Sequence, residues 1–177
     1  MTNSSGIDFT AIYNEYSDNV FRYIFYMVND PHVAEDLTQD SFIKVYKNLH
    51  TFKFKSNINT WVFKISRNVT LDYLKRKKLV TFFNHDALIN NVKSENKTVI
   101  EAIVQSEEIK ALYSSLQNLK KDYREVLVLR KINECSIRET AIILNWSENK
   151  VKSMTSRALI KLKEDLIKKE VRFSESQ

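Results

Sequence analysis

From Asp8 onward the apolar residues Phe9, Ile12, Tyr13, Tyr16, Val20, Ile24 and Val28 recur three or four apart. That spacing predicts a helix with one buried side. Asp30-Pro31 interrupts it and starts the next helix. The aspartate is a natural N-cap, and proline suits the first turn because its missing N–H would have no intrahelical partner there. The second helix carries Val33, Leu37, Phe42, Val45 and Leu49 on its apolar side. Thr51 to Asn59 has no period and reads as an ordered loop, in which Ser56, Asn57 or Asn59 can cap the helix that follows. That third helix is expected to end near Leu79. Residues 80–106, rich in Asn, Ser and Lys, read as a linker. A second helical block runs from Glu107 to Arg172, and residues 1–6 read as a frayed tail.

Composition narrows the fold further. The 177 residues include one Gly and one Pro. Hairpins and bulges rely on Gly, so a turn-rich β protein is excluded, as are glycine-rich phosphate loops and dinucleotide fingerprints. With 43 % hydrophobic residues a packed core is available. The expected fold is all-α: two small helical domains joined by a flexible linker, the second containing a helix-turn-helix. Cys135 is the only cysteine, which excludes an internal disulfide or a multi-thiolate zinc site. His32, His50 and His85 are widely separated, so no metal and no cofactor are expected. MTNSSGIDF lacks the basic and apolar segments of a signal peptide, and no apolar run is long enough to insert in a membrane. A reducing cytoplasm is the expected compartment, and nothing in the residues suggests a catalytic set.

The net charge is +6, unevenly spread. Residues 1–60 are net −2, residues 61–79 net +5, residues 80–106 net −1 and residues 107–177 net +4. An acidic segment followed by a compact basic one suggests different partners for different faces.

The basic segment is NTWVFKISRNVTLDYLKRKK, Asn59 to Lys78. With Trp61 at 0° and about 100° per residue, Trp61, Val62, Ile65, Val69 and Tyr73 fall within roughly 120° of one another. Lys64, Arg67, Lys75 and Lys78 fall within roughly 80° on the opposing side. The expectation is an amphipathic helix with a core face and an anion face; a merely solvated basic face remains the other reading. Asn68 and Asp72 project near Trp61, at the border of the apolar side, where a carboxylate needs a partner. Phe52, Phe54, Asn57, Asn59 and Trp61 lie just before or at the start of this helix, a mixture suited to exposed bases, which stack on rings and bond to amides.

SIRETAIILNWSENKVKSMTSRALIKLKEDL carries a second pattern. Ser136 and Glu139 have capping-box spacing. Ala141 is small where two helices would cross, and Thr140 and Leu144 face inward. Asn145 falls in the turn, where asparagine tolerates a left-handed backbone. Trp146 continues the core, Ser147 caps the next helix, and Val151 and Met154 point back inside. Lys150, Lys152, Ser153, Ser156, Arg157 and Lys161 are left outward, the make-up of a major-groove reading helix. A plain helical hairpin shares this pattern.

Taken together, the chain resembles the extracytoplasmic-function group of bacterial RNA polymerase sigma factors, from about Phe9 to Leu166. AEDLTQDSFIKVY (Ala34–Tyr46) resembles that family's core-polymerase-binding helix. The Trp, Arg-Asn and Asp-x-Leu positions of the basic segment resemble its −10 and melting helix. LKKDYREVLVLR (Leu119–Arg130) and the helix-turn-helix resemble its −35 domain. The chain departs from the family where Leu119-Lys120 replaces Leu-Pro, Asn145 replaces a turn glycine, and Asn149-Lys150 replaces Gly-Thr before the reading helix. That helix chooses the bases, so the resemblance does not carry a promoter sequence over.

The resemblance implies residue roles. Residues 7–79 would form region 2 and residues 107–172 region 4. Asp36, Gln39, Asp40 and Phe42 would engage the clamp helices of the polymerase's largest subunit, with the flap as a second contact. Phe52, Asn57, Asn59 and Trp61 would capture a flipped −10 base, and Lys64, Arg67, Asn68, Lys75 and Arg76 would track that strand. Lys150, Lys152, Ser153, Ser156, Arg157 and Lys161 would read the −35 element. The implied partners are core polymerase, promoter DNA and an anti-sigma factor that could hold the protein at the membrane. The implied setting is a stress or envelope response, with a monomeric free chain.

Two alternatives from other classes are separable. A stand-alone helix-turn-helix regulator would bind duplex DNA by itself, usually as a dimer, yet no dimerisation segment is evident. A helical interaction protein without a nucleic-acid role would leave both basic stripes unexplained. Breaking a stacked base-pair step costs about 1.4 kcal/mol. Stacking one captured base returns about 1–3 kcal/mol. One base therefore offsets about one or two steps, fewer than a transcription bubble opens. The isolated protein is expected to show negligible promoter affinity, and a tight, specific gel shift without polymerase would contradict this.

Overall fold

The computed structural model describes residues 8–52, 57–83 and 107–174. Every extended element among them is a helix. The chain forms two compact units. The first is built on α1 (Phe9–Val28), α2 (Pro31–Asn48) and α3 (Ile58–Phe83); the second on α4 (Glu107–Asn118), α5 (Lys121–Leu127), α6 (Ile137–Leu144) and α7 (Glu148–Ser174). Thus α3 continues to Phe83, past the expected end near Leu79, and takes residues 80–83 from the expected linker. The remainder of that linker, residues 84–106, and Ser56 and Phe54 of the loop lie outside the described residues.

Local chemistry sets the ends of the first unit's helices. The Asp8 carboxylate accepts from the Thr10 N–H at 3.0 Å and starts α1. Asn29 ends it in a left-handed conformation (φ 59°), donating its N–H to the Phe25 carbonyl. Asp30 then accepts from the Val33 N–H at 3.1 Å, with Pro31 in the first turn, as expected from sequence. A single 3-10 turn, Leu49–Thr51, closes α2. Of the three candidate caps for α3, Asn57 does the work within the described residues: its Oδ1 accepts from the Asn59 N–H at 3.2 Å.

The core of this unit contains Val20, Tyr23 and Ile24 of α1, Ala34, Leu37 and Val45 of α2, and Val62, Phe63 and Val69 of α3, all buried. The rings of Tyr23 and Phe63 meet edge-on, 5.9 Å between centroids. Hydroxyl residues are buried with them. Thr38 and Ser41 donate to the carbonyls of Ala34 and Leu37 (2.7 and 2.6 Å), and Ser66 and Thr70 to those of Val62 and Ser66 (3.0 and 2.8 Å). Each bond is made four residues back within the same helix, so these small residues enter the interior with their polarity satisfied.

That detail rotates α3 relative to the sequence expectation. From Val62 to Thr70 the buried positions are Val62, Phe63, Ser66, Val69 and Thr70. They span roughly 80° to 200° from Trp61, whereas the apolar-only reading placed the core at roughly 0° to 120°. Trp61, Ile65 and Tyr73 are therefore only half-buried.

In the second unit, α5 runs on into a π-helical turn, Val128–Ile132, an irregularity the periodicity does not announce. Asn133 and Cys135 return N–H bonds to Val128 and Leu129 at 2.9 Å, and Arg130 donates to the Cys135 carbonyl. Leu116, Val126, Leu127, Leu129, Val151 and Ala158 are buried. Between α4 and α7, Lys169 donates to Ser114 and Ser115, and Asn118 donates to Asp165, while Lys169 and Asp165 pair at 3.2 Å within α7. Burial raises the Asp165 carboxyl, but hydrogen bonds from Ser115, Asn118 and Lys169 and the lysine's charge outweigh it, so the net shift is downward.

A carboxylate depressed in the folded state stabilises above its unfolded pKa and stops doing so as pH falls through its folded one. Asp165→Asn is therefore expected to lower the urea midpoint at pH 7. The gap to wild type should close as pH falls below about 4, where the unfolded carboxylate protonates. A gap that stayed constant with pH would exclude this linkage.

Candidate nucleic-acid interface

The rotation of α3 decides what its outer face offers. Trp61, Lys64, Asn68, Asp72 and Lys75 share a stripe about 80° wide. Within it Lys64, Asn68, Asp72 and Lys75 are exposed and Trp61 half-exposed. Trp61 leans on Phe52, which is buried, with ring centroids 5.2 Å apart. A ring backed by a second ring keeps its orientation, a useful property in a stacking platform. The expected border position of Asp72 is corrected: its carboxylate is exposed and needs no protein partner. The Asn59 Oδ1 is buried without a hydrogen-bond partner among the described residues. Two residues before Trp61, it projects about 160° round the helix from that ring, toward the packed side. Arg67 is half-buried on the flank, and Arg76 lies back along the helix, its Nε donating to the Asp72 carbonyl at 3.3 Å.

The acidic face is on α2. Asp36, Gln39 and Asp40 are exposed in one row. Phe42 does not join them. It is 3 % exposed and its ring packs against Tyr13 and Phe9, at 4.9 and 6.4 Å between centroids. Phe42 thus belongs to the α1–α2 contact, and the apolar side chain presented beside the carboxylates is Ile43, 50 % exposed. Ile43 lies three residues after Asp40 and seven after Asp36, so the helical row contained it although the sequence reading did not name it. Tyr46, also exposed, packs edge-on against Phe9 at 5.1 Å.

In the second unit the helix-turn-helix signals are met apart from Trp146, which is half-exposed rather than part of the core. Ser136 accepts from the Glu139 N–H at 3.1 Å, and Glu139 accepts from the Ser136 N–H at 2.8 Å, completing a capping box. Asn145 takes the left-handed turn (φ 57°), and the Trp146 N–H reaches the Ala141 carbonyl at 2.9 Å. Ser147 caps α7 by accepting from the Lys150 N–H at 3.2 Å. Thr140, Ala141, Leu144 and Val151 are buried, and Met154 half-buried.

The outward residues divide by what already holds them. Lys152, Ser153, Ser156 and Arg157 are exposed along α7. Lys150 sits over the Trp146 ring at 4.2 Å, a cation–π contact that keeps its charge beside the turn. Lys161 pairs with Glu164 at 2.7 Å, and each holds the other charged: the lysine is shifted up and the glutamate down. A phosphate would have to exchange with Glu164 to recruit Lys161. Among the described residues no group of His, Cys, Asp and Glu forms a metal site, and no helix is long and apolar enough to cross a membrane.

A basic helix with an aromatic beside it in one unit and a helix-turn-helix in the other are features suited to nucleic acid. Residues 12–80 match the family Sigma-70 region 2, and residues 109–162 match Sigma-70, region 4. The chain is 33 % identical to the ECF RNA polymerase sigma factor SigX of Bacillus subtilis (strain 168), over 93 % of this chain and 90 % of that protein. It is 34 % identical to SigM of the same organism, over 86 % and 91 % respectively. The sigma factor RpoE of Bartonella quintana, solved in complex with the anti-sigma factor NepR, shares the fold. The match has a TM-score of 0.72 and 24 % identity over 90 % of this chain and 96 % of that one. The protein belongs to the extracytoplasmic-function group of RNA polymerase sigma factors, transcription-initiation factors that direct the polymerase to promoters.

Cys135, 1 % exposed, lies in the turn before α6. Burial and the neighbouring Glu139 push its thiol up to about 12, against a smaller opposing pull from Arg130. The native protein is expected not to react with a thiol reagent at pH 8 until it is unfolded. Rapid modification in the native state would contradict this placement.

Proposed function

We propose that the exposed α2 row Asp36, Gln39, Asp40 and Ile43 docks on the clamp helices of the polymerase's largest subunit, with the flap engaging the second unit. The α3 stripe then meets the non-template strand of the −10 element. A flipped base stacks on Trp61, backed by Phe52, with Asn57 and Asn59 at the start of α3 completing the loop that captures it. Lys64, Arg67, Asn68 and Lys75 follow the strand's phosphates. In the second unit Lys152, Ser153, Ser156 and Arg157 read the −35 element in the major groove, and Lys150 and Lys161 supply flanking charge. The protein acts in the cytoplasm, in a stress or envelope response, under an anti-sigma factor that masks these faces until released.

The observation that carries this reading is the alignment of Trp61, Lys64, Asn68 and Lys75 on one stripe of α3, with a buried ring behind the tryptophan. An aromatic among cations is wasted on a solvated face, but it suits a single strand with bases to stack and phosphates to neutralise.

Run-off transcription with purified core polymerase on fragmented genomic DNA tests the proposal. Discrete new transcripts with shared upstream elements are expected when the protein is added. Their absence, with core active under another sigma factor, would overturn it. The docking surface is tested by contrast. Ile43→Ala should leave the thermal midpoint unchanged and weaken core binding about tenfold, a typical loss for an exposed interface anchor. Phe42→Ala should cost about 3–5 kcal/mol of stability. Equal core binding by Ile43→Ala and wild type would remove Ile43 from the interface.

A further inference from the structure

The major groove offers a protein hydrogen-bond donors, hydrogen-bond acceptors and one apolar group, the C5 methyl of thymine. The outward face of α7 is sorted to match. With Ser153 at 0° and about 100° per residue, Ser156 projects at about 300° and Ile160 at about 340°. These three form the centre of the face, a row about 60° wide. Cations stand on both sides of it. Lys152 projects at about 260°, and Arg157, Lys150 and Lys161 lie between about 40° and 80°. All seven residues are exposed, Ile160 at 58 %.

Ile160 is the odd member. An isoleucine so open to water contributes little to its own fold. It follows Arg157 and precedes Lys161, so a duplex that meets those two cations passes over it. From Ser153 to Ile160 the helix rises about 10 Å, less than the roughly 12 Å width of the major groove, so the whole row fits inside the groove.

The flanking cations suit the phosphates on either side of a groove, and the uncharged row between them suits base edges. A serine hydroxyl both donates and accepts, so Ser153 and Ser156 discriminate little between bases. The Ser153 hydroxyl already donates to the Lys150 carbonyl at 3.1 Å, which leaves it an acceptor. Ile160 has no polar group to offer and fits one feature of the groove, the thymine methyl.

We propose that Ile160 is a specificity-determining residue of the −35 contact, selecting a thymine by packing on its C5 methyl. The inference rests on the reading that α7 enters the −35 major groove, and it adds a base preference at a residue which that reading passes over. Ile167 projects to the same side at about 320°, 47 % exposed, but lies about 10 Å further along, beyond Lys161, and takes no part.

The test uses holoenzyme and a duplex promoter fragment found by run-off transcription. Each thymine of the −35 element is replaced in turn by deoxyuridine, which pairs alike and lacks only the methyl. Burial of one methyl corresponds to about fourfold in affinity. Wild-type holoenzyme should lose about that much at one thymine. Holoenzyme with Ile160→Ala should bind the unmodified promoter more weakly by a similar factor and be indifferent to deoxyuridine at that position. Ile167→Ala should behave as wild type throughout. Wild-type holoenzyme indifferent to every deoxyuridine would overturn the proposal, as would Ile160→Ala with undiminished sensitivity. Loss of core binding by both Ile160→Ala and Ile167→Ala, with sensitivity unchanged, would give the isoleucines to a protein partner and overturn it too. Arg157→Gln should weaken binding to unmodified and modified fragments equally. If neither Arg157→Gln nor Ser153→Ala affects binding, the reading of α7 as a DNA-contacting helix fails, and the proposal with it.

Discussion

Everything the first unit offers to a partner depends on how α3 is turned against α1 and α2. That turn is fixed by two buried hydroxyls. Ser66 and Thr70 lie between Phe63 and Val69 in the packed face, each bonded to a carbonyl four residues back. An unpaired hydroxyl there would be costly to bury, whereas one satisfied within its own helix is not. Small side chains also let the helices approach closely in a chain with a single glycine. The consequence is outward. With the packed face centred near Ser66, Trp61 comes to the same side as Lys64, Asn68 and Lys75, and the aromatic becomes part of the cationic stripe.

The same economy appears at the turns. The described residues include three non-glycine positions with left-handed backbone, Asn29, Glu134 and Asn145. Asparagine bears that conformation with the least penalty after glycine, and both asparagines end helices there. Asn145 lies in the turn of the helix-turn-helix, so the direction of α7 is set by a non-glycine residue that holds the left-handed angle.

Much of this was legible in the residues because caps and periodicity are local. The Asp30-Pro31 start, the Ser136–Glu139 capping box and the Ser147 cap each follow from spacing alone, and each is present as expected. What misled was reading hydrophobicity as burial. Ser66 and Thr70 look like surface and are core, Ile43 is apolar and is surface, and Phe42, which the periodicity put on the apolar side, packs on Tyr13 although the resemblance made it a docking residue. In each case the outcome depends on which neighbour covers the residue, which periodicity within one helix cannot express. The commitments of Lys150 to Trp146 and Lys161 to Glu164 were hidden for the same reason: both are contacts between side chains whose rotamers sequence does not set.

The rotation of α3 is the claim on which the account turns, and a cysteine scan along residues 61–70 measures it directly. The native Cys135 is buried and provides a silent background. Thiol reagent should modify cysteines placed at 61, 64 and 68 quickly and those at 63, 66 and 70 slowly. Holoenzyme bound to promoter DNA should then protect the fast positions. The opposite pattern, with 61 and 65 slow and 63, 66 and 70 fast, would mean that the apolar face read from sequence is the packed one and that Trp61 has no place among the cations.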